Sequence, residues 1–85
     1  MLKIIDDYEP SEEILQEMVD GNIEIVTLNN GDIIVINRDG KRLNLNYNSE
    51  ATKIYQDNGS MKDMDIVGQA VEVQKGWMNI EIETE

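Results

Sequence analysis

Two periodicities divide this chain. Between Ser11 and Asp20 the apolar residues Ile14, Leu15, Met18 and Val19 recur at i, i+1, i+4 and i+5, one side of a helix, while Glu12, Glu13, Glu17 and Asp20 fall mostly elsewhere. Pro10 suits the first helical position, where its missing N–H has no partner to lose, and Gly21 is placed to close the C-terminus. Glu12 and Glu13 favour the positive end of the helix dipole, whereas Asp20 opposes the negative end.

From Asn22 onward the period drops to two. Ile23, Ile25 and Thr27 alternate with Glu24, Val26 and Leu28. Ile33-Ile34-Val35-Ile36 is apolar on both sides, which predicts the most buried strand, covered above and below. Leu43, Leu45 and Tyr47 alternate with Arg42, Asn44 and Asn46, the pattern of a half-buried strand. Weaker strands are predicted over Thr52–Gln56, centred on Ile54, and over Asp65–Val73, where Gly68 predicts a bulge or bend. Met78, Ile80 and Ile82 alternate with Asn79, Glu81 and Glu83 in a last strand, and Met1–Ile5 is a candidate edge strand.

Turns punctuate these segments. Asp20-Gly21, Asn30-Gly31, Asp39-Gly40 and Asn58-Gly59 are Asx-Gly pairs, which accept positive φ cheaply; Lys75-Gly76 adds a weaker fifth. They predict one hairpin of residues 23–28 with 33–37 and a second of 33–37 with 41–47. The expected fold is α+β: a mostly antiparallel small β barrel or curled sheet of about 5–6 short strands with one N-terminal helix, in a single acidic domain spanning residues 1–85.

Charge then narrows the function. The 85 residues carry 18 acids against 7 basic residues, a net −11, with no His and no Cys. Residues 1–20 hold seven acids and one Lys, and residues 21–60 are nearly balanced with five acids and four cations. Such a field repels nucleic acid and anionic membranes and attracts basic protein surfaces. Without His or Cys the commonest general base, most nucleophile–base pairs and nearly all zinc ligation are missing. The absence of disulfides, of a long apolar run and of a secretory leader leads us to expect a cytoplasmic protein with no membrane contact.

Candidate chemistry is sparse. The pairs Asp6-Asp7, Glu12-Glu13 and Asp63 with Asp65 are what chance produces at this acid content, and a solvated acidic face explains them. Asn37-Arg38-Asp39-Gly40 matches the middle of a calcium loop, but Val35 stands at its first ligand position and Asn46 at its closing one, so no metal is expected. No phosphate-binding glycine loop is present, and no cofactor is expected. Arg38, Lys41 and Arg42 cluster at one turn, with Lys53 a further candidate neighbour; intramolecular pairing or a local contact spot accounts for them better than direct nucleic-acid binding.

One resemblance is carried by specific residues. Asn30-Gly31-Asp32-Ile33-Ile34-Val35 followed by Asp39-Gly40-Lys41-Arg42-Leu43 resembles the strand pair in the C-terminal β domain of LexA-type repressor peptidases, and Asp65–Val71 is similar to that family's closing strand. The family's Ser, in a Gly-Asp-Ser-Met turn, precedes these strands; here Gly59-Ser60-Met61 follows the first two, and Lys41 lies too close to the turn to serve as the activating Lys. The resemblance therefore implies local strand chemistry, at most a catalytically dead β domain of that type.

These readings point to a non-enzymatic protein that binds another protein through a basic site on the partner. Its extreme form is a nucleic-acid mimic of the kind phages and mobile elements encode as inhibitors. The candidate contacts are Glu12, Glu13, Glu17 and Asp20 on the helix, and Trp77, Glu81 and Glu83 on the last strand, where a Trp beside acids is a plausible anchor. The competing expectation is an accessory or assembly β module that pairs through an exposed strand edge, Met1–Ile5 or Trp77–Glu83.

Overall fold

Four strands and two helices make up the computed structural model, which describes residues 2–58 and 65–74. In chain order they are β1 (Leu2–Ile5), α1 (Glu12–Val19), β2 (Ile23–Thr27), β3 (Ile33–Asn37), α2 (Ser49–Asn58) and β4 (Ala70–Val73). The sheet order is β1-β4-β3-β2, with β1 parallel to β4 and the other two pairings antiparallel. The class is α+β as expected. Among the described residues the sheet, however, is open and mixed, and a second helix stands where a strand was predicted. β1 and β2 run the same way on opposite edges, so α1 carries the chain across the sheet, as a parallel connection requires.

α1 forms where the apolar stripe predicts it, with different ends. The helix begins at Glu12, after Ser11, whose Oγ accepts the Ile14 N–H at 3.2 Å; Pro10 lies before that cap. At the other end Asp20, not Gly21, takes the left-handed conformation (φ 62°). Asp20 N–H donates to Glu17 C=O and Gly21 N–H to Gln16 C=O, the paired bonds of a Schellman termination. Leu15 and Val19 are buried, while Ile14 is turned partly to solvent.

β3 is the buried centre. Val35 packs on one face with Leu15 and Val19 of α1, Ile5, Ile23, Val71 and Val73. Ile34 and Ile36 pack on the other with Ala51 and Tyr55 of α2, Val26, Leu28, Ile66 and Ala70. Each face of the sheet thus has its own helix, which is why this strand is apolar throughout. The first predicted hairpin is present, Ile23 opposite Asn37 through Thr27 opposite Ile33.

The second predicted hairpin is not. Leu43 N–H donates to Asp39 C=O, Asn44 N–H to Lys41 C=O and Leu45 N–H to Gly40 C=O, so residues 39–43 form a helical turn that Asn44 ends at φ 61°. The alternation of Leu43, Leu45 and Tyr47 misleads because asparagine disfavours strands and tolerates the left-handed region. Leu43 and Tyr47 are 51% and 55% exposed. The strand pair on which the LexA-type resemblance rests is therefore not formed. Thr52–Gln56 lies within α2, capped by Asn48, whose Oδ1 accepts the Ala51 N–H at 3.1 Å. In the Asp65–Val73 segment only Ala70–Val73 is strand; Gly68 precedes it at φ 82°, where an added Cβ would meet Leu45 Cδ1 at 2.7 Å.

Candidate functional site

The acids of α1 converge on one surface. Glu12, Glu13, Glu17 and Asp20 are all exposed, as are Asp6, Asp7 and Glu9 on the segment leading into the helix. From residue 4 to residue 37 the sequence contains nine carboxylates and no Lys or Arg. Glu12, Glu13 and Glu17 have no ion-pair partner among the described residues. Glu12 and Glu13 suit the positive end of the dipole, but beyond it the placement works against the helix: Glu13 and Glu17 are like charges at i, i+4, and the last turn holds no cation. Asp20 sits at the negative end of the dipole in a conformation that L-residues disfavour. Trp77, Glu81 and Glu83 lie outside the described residues.

The basic residues divide differently from the sequence expectation. Arg42 pairs with Asp39 at 3.5 Å, whereas Arg38 and Lys41 line a concavity of about 210 Å³ together with Glu24, Asp65, Ile36 and Val67. Glu24 is brought there by the predicted β2–β3 hairpin, opposite Ile36, whereas Asp65, distant in sequence from the cationic turn, carried no signal that would have placed it there. Asn37 fixes this corner. Its Nδ2 donates to Val19 and Asp20 C=O at 3.1 and 3.2 Å, and its Oδ1 accepts the Asp39 N–H at 2.8 Å. A second concavity, of about 230 Å³, lies at the C-terminal end of α1 between Asp20, Leu45 and Gly68.

Among the described residues Glu72 is the one carboxylate with a resolved electrostatic perturbation. Opposite in alternation to Val71 and Val73, it occupies the α2 face of the sheet, level with Ile34 on β3 and Ile4 on β1. Burial, and secondly the Asp32 carboxylate, push its carboxyl above the ordinary value of 4.5. A raised carboxyl binds its proton better in the folded state, so its contribution is present below the unfolded value and lost as pH rises through the folded one. Glu72→Gln is therefore expected to stabilise the protein modestly at pH 7 and to leave it unchanged near pH 3, as thermal melts at the two pH values would read. Glu72 lines neither concavity.

Among the described residues no three His, Cys, Asp or Glu side chains converge in the manner of a metal site, and no helix is long and apolar enough to cross a membrane. What fold and surface define is an α+β domain with a mixed four-stranded sheet, a helix on each face and an acidic helical layer. The chain belongs to the family described as a domain of unknown function (DUF3846), whose profile matches residues 2–80. Neither the curated proteins nor the solved structures provide a match.

Proposed function

We propose that this protein is a non-catalytic binding module whose α1 layer occupies a basic site on a partner protein, in the manner of a nucleic-acid mimic that inhibits by competing for a polyanion groove. One observation carries the reading: although Glu12 and Glu13 suit the first turn, the like-charge pair Glu13–Glu17 and Asp20 at the C-terminus oppose the helix they belong to. A helix selected for stability alone would place cations in its last turn and opposite charges four residues apart. Retaining Glu13, Glu17 and Asp20 in those positions is the local conflict expected of a surface kept for recognition. Charge complementarity of this kind speeds encounter and lets a small interface compete with a nucleic acid.

The test captures partners with the wild-type chain and with a Glu12→Lys/Glu13→Lys/Glu17→Lys variant, at low and moderately high salt, followed by displacement with duplex DNA or RNA. A nucleic-acid-binding protein held by wild type, released by salt and by the competing nucleic acid, and bound roughly 100-fold more weakly by the variant is the expected result. Equal, salt-indifferent capture by both chains would rule the reading out. It would shift the assignment to an assembly contact through the edge strand β1, where Ile4 is exposed.

A further inference from the structure

Around the concavity between β2, β3 and the 65–67 segment, four charges stand unneutralised. Arg38 and Lys41 come from the turn after β3, Glu24 from β2 and Asp65 from the approach to β4. Two of each sign line one hollow, yet none of the four makes an ion pair or a side-chain hydrogen bond with any described residue. The nearby Arg42 shows that pairing is available to this turn, since it is already engaged with Asp39.

The hollow is built on ordered parts. Glu24 stands directly opposite Ile36 in the β2–β3 ladder. The Arg38 N–H donates to Asn22 C=O at 2.8 Å, and Asn37 clamps the turn to the end of α1. Gly40 lets the turn lie flat on the 65–67 segment: an added Cβ would stand 2.9 Å from Val67 Cγ2. Ile36 and Val67 supply apolar wall.

We propose that this concavity binds a small zwitterion, its acidic group held by Arg38 and Lys41 and its ammonium group by Glu24 and Asp65. At about 210 Å³ the space is smaller than sites for drug-sized ligands and suits a molecule the size of a single amino acid. Charge selects the class. A simple anion meets Glu24 and Asp65 in addition to the net −11 of the chain, and a simple cation meets Arg38 and Lys41. Only a ligand carrying both signs satisfies all four groups, which are exposed and open to it.

The test titrates the ¹⁵N-labelled protein with glycine, β-alanine, 4-aminobutanoate and 6-aminohexanoate, and with hexanoate and hexylamine as single-charge controls. The expected result is saturable amide shifts confined to residues around Glu24, Arg38, Lys41 and Asp65. At least one amino acid should bind about tenfold more tightly than either control, and Arg38→Gln/Lys41→Gln should lose at least that factor while keeping its dispersed spectrum. Glu12→Lys/Glu13→Lys/Glu17→Lys should bind as wild type does, which separates this site from the α1 surface. No saturable shift with any amino acid, a control that binds equally well, or undiminished binding by the Arg38/Lys41 variant would each overturn the proposal.

Discussion

A Leu15→Ala chain is expected to lose about 2–5 kcal/mol of stability, the range for truncating a fully buried leucine, while Ile14→Ala loses less than about 1 kcal/mol. The two residues are neighbours on the same predicted apolar stripe. In the structure Leu15 is 0% exposed among Val19, Val35, Val71 and Val73, whereas Ile14 is 40% exposed. Leu15 thus leaves a cavity between helix and sheet, and Ile14 gives up only part of its contact while gaining helix propensity as alanine. Urea unfolding reads both: the midpoint should fall far for Leu15→Ala and little for Ile14→Ala, with the slope of the transition preserved. Similar losses at the two positions would mean that α1 packs by a different face. The acidic layer assigned to solvent would then be misplaced with it.

Thr52→Val should cost about 1–3 kcal/mol although it exchanges a hydroxyl for a methyl in a buried place. Thr52 Oγ1 accepts the Ile66 N–H at 2.8 Å and donates to the Ile66 C=O at 3.2 Å. The carbonyl keeps a second partner in the Asn48 N–H, but the amide does not. Valine fills the same volume and leaves that buried N–H without a bond, a desolvation cost that its greater hydrophobicity does not offset. Thr52→Ser, which keeps the hydroxyl and loses a methyl, should be the milder change of the pair. If valine proved neutral and serine worse, packing rather than hydrogen bonding would hold α2 to the 66–68 segment. Loss of this link matters for the charged concavity as well, because Asp65 and Val67 flank Ile66.

Asn48 and Thr52 also show what local patterning could not see. Asn48 caps α2 through Ala51 and donates its Nδ2 to Gly68 C=O at 2.9 Å, so one buried amide starts a helix and anchors the entry to β4. In sequence, residues 52–56 carry a β-branched Thr and Ile and a Tyr, which argue for a strand. Asn48, with Ser49 and Glu50 in the first turn after it, is the helix-start signal that outweighs them. The reverse occurred at residues 41–47, where the alternation was present and asparagine chemistry turned the chain into a helical turn instead.

By itself the sequence determined the elements whose periodicity is strong and whose partners are near: α1, the β2–β3 hairpin joined at Asn30-Gly31, the doubly covered β3, the strand character of residues 2–5, and the acidic helix face. The 3.6- and 2-residue periods and the Asx-Gly turn are local properties, readable wherever burial is one-sided or total. Tertiary structure alone decided that β1 pairs in parallel with β4, nearly seventy positions away, and that each face of the sheet has its own helix. It alone brought Asp65 to the Arg38/Lys41 turn and Asp32 near Glu72. Pairing across such separations is chosen by which faces must be buried together and by the closure of the connecting chain, neither of which leaves a signature within a short window of residues.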